Sequence, residues 1–378
     1  MQSHPLEGVD REFVSLASPT AARNGAGYLP CQGLYHRPQG KSPKTAFIAT
    51  HYNVDFSEHY AAEFLARRGY GFLGWNTRFR GNESYFMLEH ALIDIGVGVR
   101  WLRESAGVER VVLLGNSGGG SLMGAYQSQA VSPCLEPVAG GAIPDAANEL
   151  IPADVYVSLN AHPGRPEVLT SWMDPSVTDE NDPSACDPEL DMYNPDNGPP
   201  YSPEFAARYR AAQEARNHRI TAWVRDELAR LASFKMFDRV FTMQRTWADL
   251  RLMDGTLDPS DRQVGLCYAG DPRWANYSPF GIGHCSSLRT WLSMWSLETS
   301  QCRGIPHLRK IKLPALVIQS SADTGVFPSD ARSIYEHLAS RDKLLEFVPG
   351  DHYLQEPATA RNDVADRIAN WLNDRTGV

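Results

Sequence analysis

The chain has 378 residues, 42% of them hydrophobic and 21% charged, with a formal net charge of −9. That length holds one large α/β domain with an insertion, or two domains. The acidic balance, with no basic run interleaved with aromatics, argues against a nucleic-acid groove, and no apolar run approaches the ~18 residues of a membrane span.

Residues Met1-Gln2-Ser3-His4-Pro5-Leu6-Glu7 lack the basic and apolar regions of a secretory signal, so a cytoplasmic location without membrane attachment is the expectation. Cys31, Cys134, Cys186, Cys267, Cys285 and Cys302 are scattered, with no Cys-x-x-Cys spacing. Free thiols are expected rather than a zinc site or a disulfide framework, with a bridge inside 267–302 left open.

Taken in order, residues 11–52 read as three strands, 11–16, 28–36 and 45–50. The turn clusters Asn24-Gly25-Ala26-Gly27 and Pro38-Gln39-Gly40-Lys41-Ser42-Pro43 separate them. A short helix over 57–68 and a strand over 71–76 follow. Residues 88–105 repeat apolar positions at helical spacing (Leu88, Leu92, Ile95, Val99, Leu102). A strand over 110–114, a helix over 117–130 and a strand over 154–159 complete the first part. Strand–helix alternation stops near 162 and resumes near 313, with strands over 314–319 and 344–348 and helices over 329–340 and 358–373. This order predicts an α/β fold, a mostly parallel sheet with helices on both faces.

The core is therefore assigned to 1–162 and 306–378, and 163–305 to an insertion that caps the C-terminal edge of the sheet. Within it, 174–203 reads as a long loop rich in Asp, Pro and Asn, and 203–253 as strongly helical. Residues 254–300 carry turns and the aromatic patch Trp291-Leu292-Ser293-Met294-Trp295. Six of the nine tryptophans fall inside this cap, which favours a bulky apolar ligand. The acidic run Asp179-Glu180-Asn181-Asp182 lacks a calcium-loop spacing and is expected to be a solvated loop.

The chemistry centres on Val111-Val112-Leu113-Leu114-Gly115-Asn116-Ser117-Gly118-Gly119-Gly120. A Gly-x-Ser-x-Gly alone is common in loops. Here a strand leads into it and a small-residue helix leaves it, the pattern of a serine held at a sharp strand-to-helix turn. Glycines two positions either side of Ser117 remove the clashes such a turn creates, and free N–H groups at the helix start can stabilise negative charge.

A serine hydroxyl needs a base, and the base an acid to orient it. Asp323 follows one late strand and His352 the next, in the chain order Ser…Asp…His. Asp351 and Asp174 are rival acids. Of the other histidines, His51, His162 and His284 are placed near the site. For the oxyanion, one backbone N–H is expected from Gly118 and a second from the loop after the third strand, at Asn53 or alternatively Tyr52. His51, Tyr52, Trp291 and Trp295 are the expected substrate-binding side chains.

On Gly115-Asn116-Ser117-Gly118-Gly119, Asp323 and His352, the chain resembles an α/β-hydrolase fold serine hydrolase over roughly 11–162 and 306–378. It departs at His51-Tyr52, where members often carry His-Gly. The resemblance implies an eight-stranded sheet and acyl chemistry without metal or cofactor. A serine at the elbow speaks against the epoxide hydrolases and haloalkane dehalogenases of this fold, which use an aspartate there. A carboxylic ester or lactone of a bulky aromatic or polycyclic small molecule is the expected substrate. Amidase, carbon–carbon bond hydrolase and acyltransferase readings share the same residues, and a non-catalytic ligand-binding protein is the alternative of another class. The sequence leaves a homo-oligomer open.

Overall fold

The structure is a computed structural model that describes residues 7–21, 30–138, 140–279 and 281–376. The first six residues, the turn cluster at 24–27 and the start of the expected strand at Tyr28 lie outside the described residues. Six strands come first: β1 (Val9–Leu16), β2 (Cys31–Pro38), β3 (Thr45–Ala49), β4 (Gly71–Asn76), β5 (Arg110–Ser117) and β6 (Val155–Ala161). Helices α1 (Ala62–Arg67), α2 (Leu88–Glu104) and α3 (Gly119–Val131) connect them.

An insertion follows β6. It contains α4 (Arg165–Trp172), a hairpin of β7 (Val177–Asp179) and β8 (Asp182–Cys186), the long α5 (Pro203–Ser233), β9 (Val240–Thr242), α6 (Pro272–Asn276), β10 (Cys285–Ser287), α7 (Leu288–Thr290) and α8 (Gly304–Leu308). The chain then returns to the sheet with β11 (Ala315–Ser320), α9 (Pro328–His337), β12 (Lys343–Val348) and α10 (Ala360–Thr376).

The main sheet has eight strands in the order β1-β2-β4-β3-β5-β6-β11-β12. β1 and β2 pair antiparallel, as do β2 and β4, and the other pairings are parallel. This is the expected mostly parallel α/β architecture. Its central strands are buried on both faces, so they read as continuous apolar runs. Along β5, Val111 and Leu113 enter one core with Leu92, Ile95 and Val99 of α2. Val112 and Leu114 enter the other, with Leu65 of α1 and Ile368 and Leu372 of α10. Parallel pairing puts the C-terminal ends of β3, β5, β6, β11 and β12 on one edge, where the residues of interest follow. Among the described residues, no helix is long and apolar enough to cross a membrane.

The helix expected over 203–253 stops at Ser233. Lys235 takes a left-handed backbone (φ 59°), its N–H donates to Ala232 and the Met236 N–H to Leu231. That is a Schellman stop without its usual glycine, which is why the composition does not reveal it. The start is as expected: Ser202 accepts the Phe205 N–H at 3.1 Å and Pro203 opens the first turn. The loop expected over 174–203 contains the β7–β8 hairpin, and Glu180 within its acidic run pairs with the fully buried Arg216 at 2.6 Å. All six cysteines are free, so the bridge left open within 267–302 is not formed.

Buried ion pairs stiffen the insertion. Asp174 meets Arg245 at 2.7 Å, both within 3% of complete burial, and also accepts from Asn276 and Ser176. Asp249 is shared by Arg210 and Arg251. Removing one member of a buried pair leaves the other charge uncompensated. Asp174→Ala is therefore expected to lower the unfolding free energy by about 3–5 kcal/mol, read from urea melts. A loss under about 1 kcal/mol would mean that water already screens this pair.

Candidate active site

Ser117 ends β5 with φ of 54°, a left-handed conformation that costs a non-glycine residue about 1–3 kcal/mol. The surroundings enforce it. The His162 N–H donates to the Ser117 carbonyl at 3.0 Å. A Cβ on Gly115 would stand 2.6 Å from Gly120 Cα, one on Gly119 2.3 Å from the Thr50 carbonyl oxygen, and one on Gly120 2.5 Å from Ala161 Cβ. These glycines let the ends of β3, β5 and β6 and the start of α3 converge around one serine.

Asp323 and His352 follow β11 and β12 and are both almost completely buried. His352 Nδ1 lies 2.6 Å from Asp323 Oδ2. The other oxygen, Oδ1, accepts the Gly325 and Val326 N–H groups at 2.9 Å each. The carboxylate therefore orients the imidazole through Nδ1. The His352 carbonyl accepts from Asn160 Nδ2 at 3.1 Å and from the Tyr60 hydroxyl at 3.4 Å, and that hydroxyl accepts from Asn116 Nδ2 at 3.0 Å. Tyr60 thus ties the backbone of the histidine to the residue before Ser117.

A third group joins this pair from the insertion. The Tyr268 hydroxyl donates to Asp323 Oδ1 at 2.9 Å and lies 2.8 Å from His352 Nδ1. Burial, then the Asp323 charge, holds its phenol far above the usual range, so it stays a donor. The ring occupies the space a Cβ on Gly325 would need, 2.2 Å from its Cζ. Tyr268 did not stand out in the sequence: Gly265 and Gly270 mark turns around it, but no spacing relates it to Asp323.

Of the two expected second oxyanion donors, Asn53 and Tyr52, the Asn53 N–H is engaged. The Asn53 N–H points to His51 Nδ1 at 3.4 Å, and the Val54 N–H does the same at 3.3 Å. Two donors on Nδ1 place the ring proton of His51 on Nε2. Burial, then the nearby Arg165, pushes His51 down to about 3, so the ring is neutral. Its Nε2 stands 2.7 Å from where a Cβ on Gly118 would sit, with Arg165 Nη1 at 3.2 Å. Glycine at 118 therefore keeps space beside the serine for two side-chain donors. Tyr52 is fully buried, its hydroxyl 3.0 Å from Ser121 Oγ.

The expected tryptophans divide. Trp295 lies under the Arg165 guanidinium, 4.5 Å from its ring. Trp291 is enclosed in the insertion, donating to Thr221 Oγ1 at 2.9 Å and packing on Phe241, so its role is core packing. The aromatic group adjoining the acid–base pair is instead Trp172, stacked on Trp247 at 4.5 Å, with Tyr268 against both and on the His352 ring at 4.4 Å. His162 touches Trp172, whereas His284 is exposed and bonded to the Gly281 carbonyl. Of the rival acids, Asp174 is committed to Arg245, and Asp351 accepts the backbone N–H groups of the turn after His352.

No family model matches the chain, and no curated protein matches it. Solved structures do. The α/β hydrolase GrgF from Penicillium sp. sh18 is similar with a TM-score of 0.54 at 10% identity, covering 98% of this chain and 100% of that one. The esterase domain of a Rhodothermus marinus protein is similar at 11% identity and a TM-score of 0.46, covering 97% of this chain and 99% of that one. With the sheet order above, the likeness to GrgF shows that the chain has the α/β-hydrolase fold.

Tyr268→Phe removes one hydrogen bond to a buried carboxylate and keeps the ring. Such bonds are worth about 1.5–3 kcal/mol, so kcat is expected to fall about ten-fold or more with KM little changed. A raised KM at constant kcat would assign Tyr268 to substrate contact instead. Acid sensitivity is a second consequence. Burial lowers His51 to about 3 and His59 to about 4, and puts His162 well below its ordinary 6.5. The unfolded chain binds these protons near pH 6.5 and the folded chain does not. Stability is thus full above pH 6.5 and declines as pH falls toward 4, by about 1.4 kcal/mol per unit for each histidine at most. Urea melts that give the same stability at pH 7 and pH 4.5 would contradict this.

Proposed function

We propose that the protein is a serine hydrolase that cleaves a carboxylic ester or lactone of a bulky, hydrophobic, aromatic or polycyclic small molecule through an acyl-enzyme on Ser117. One observation carries the reading: a buried His352–Asp323 pair at 2.6 Å, on the same sheet edge as a serine held in a left-handed turn. Serine hydroxyls are poor nucleophiles near neutral pH, and this arrangement supplies the base that activates one.

In this reading His352 Nε2 takes the Ser117 proton as Oγ bonds to the carbonyl carbon. The Gly118 N–H, at the start of α3, stabilises the oxyanion. Collapse breaks the carbon–oxygen bond of the ester, and His352 returns its proton to the departing alkoxide. Water then adds to the acyl-enzyme, again giving a proton to His352. The second collapse releases the carboxylic acid and hands the proton back to Ser117. Asp323, held by two backbone N–H groups and by Tyr268, orients and stabilises the imidazolium formed in each half-reaction. The stacked Trp172 and Trp247, which pack on the Tyr268 ring that covers His352, support a bulky aromatic substrate, because flat rings offer large apolar contact at low entropic cost.

A fluorophosphonate probe should label the folded protein at Ser117 and leave Ser117→Ala unlabelled. The same variant should lose about 10⁴-fold or more of kcat on any ester that is turned over. Unlabelled wild-type protein, with Ser117→Ala matching it in every assay, would sink the hydrolase reading. On a p-nitrophenyl ester panel, bulky aryl acyl groups should exceed acetate in kcat/KM. Acetate turned over far faster would contradict the size assignment.

A further inference from the structure

Arg165 opens α4 and is 3% exposed. Its guanidinium carbon lies 4.9 Å from the Tyr52 ring centroid and 4.5 Å from that of Trp295, so two aromatic faces hold it flat. Nη2 meets Glu83 Oε2 at 3.1 Å, and the other carboxylate oxygen of Glu83 is taken by the Gly283 N–H at 2.9 Å. That contact uses one edge of the guanidinium. Nε is buried with no hydrogen-bond partner, and Nη1 has none among the described residues although it reaches the space beside Gly118. His51 Nε2, which carries the ring proton, faces the same space. His162 Nδ1 is also buried without a partner. Beside the residue that follows Ser117, this chain thus places two N–H donors, Arg165 Nη1 and His51 Nε2, the first on a guanidinium whose opposite edge holds Glu83.

A buried donor left unpaired costs about 1–3 kcal/mol, more when charged. An arginine retained under that cost, pre-oriented by stacking, has the geometry that reads a planar anion. Its field also reaches both neighbouring histidines, since Arg165 contributes to lowering His51 and His162. A neutral His51 adds a donor without adding charge.

We propose that the substrate carries a carboxylate within a few bonds of its scissile carbonyl, and that Arg165 Nη1 binds it with His51 Nε2 as second donor. The inference rests on the hydrolase reading and narrows it to anionic esters or lactones, such as monoesters of dicarboxylic acids. Arg165 then sets specificity: it binds the group that distinguishes one acyl compound from another.

The test compares p-nitrophenyl monoesters of succinic, glutaric and adipic acid with the uncharged p-nitrophenyl esters of butyric, valeric and caproic acid. Wild-type protein should prefer at least one charged ester about ten-fold or more in kcat/KM. In Arg165→Gln the charged-to-neutral ratio should collapse, and Arg165→Lys should restore part of it. Arg165→Gln strands Glu83, so Arg165→Gln/Glu83→Gln is made alongside and should show the same collapse. No preference in wild-type protein would overturn the inference. Equal loss on both ester series would overturn it as well, because that pattern belongs to a donor acting on the oxyanion. Binding is read independently of turnover by titrating monomethyl glutarate and dimethyl glutarate into Ser117→Ala. Tighter binding of the anion, lost on adding Arg165→Gln, supports the inference even if no ester is hydrolysed. Equal binding of the two overturns it, whereas failure of fluorophosphonate labelling bears on the hydrolase reading alone.

Discussion

The left-handed backbone at Ser117 is the constraint on which the site depends. It ends β5 and turns the chain into α3 within one residue, and it survives because side chains are missing around it. Gly119 lets α3 touch the Thr50 carbonyl at the end of β3, and Gly120 lets it touch Ala161 at the end of β6. A methyl group at either position would push a strand end away. The same economy of space operates at Gly118, where the absent Cβ leaves room for His51 and Arg165. Steric constraint and electrostatic environment therefore arise from one run of glycines.

The insertion contributes chemical groups. It places Tyr268 on the Asp323–His352 pair and Arg165 beside the residue after Ser117, so both ends of the site contain groups from outside the sheet. Such groups are useful only if the insertion is rigid. Buried ion pairs provide that inside it, through Asp174 with Arg245 and Asp249 with Arg210 and Arg251. Arg165–Glu83 joins it to the loop after β4. Each pair costs desolvation and fixes one geometry in return.

Electrostatically, the site separates its roles by burial. Tyr268 stays protonated because burial and Asp323 oppose its ionisation. His51 and His162 stay neutral because burial, reinforced by Arg165, opposes protonation. Asp323 keeps two backbone N–H donors and a phenol around its charge. The Asp323 carboxylate and the Arg165–Glu83 pair thus sit in a buried setting of neutral donors, where charges act more strongly than they would in water.

Much of this was legible along the chain because it is local. Short apolar runs marked the strands, glycines around Ser117 marked the turn, and acid and histidine after successive late strands marked the pair. Such signals live within a few residues of one another. The stop of α5 at Lys235 was hidden because a residue other than glycine took the left-handed position. Tyr268 and Arg165 were hidden for a different reason. Their partners lie 84 and 82 residues away in sequence, at His352 and Glu83, and no periodicity links residues brought together only when an insertion folds back onto a sheet. The same holds for Asn53, whose N–H suited an oxyanion until packing turned it onto His51. Order and residue type settle which strand ends carry chemistry, because parallel pairing puts those ends on one edge. The direction in which each N–H and each buried charge points is decided by close packing across that edge.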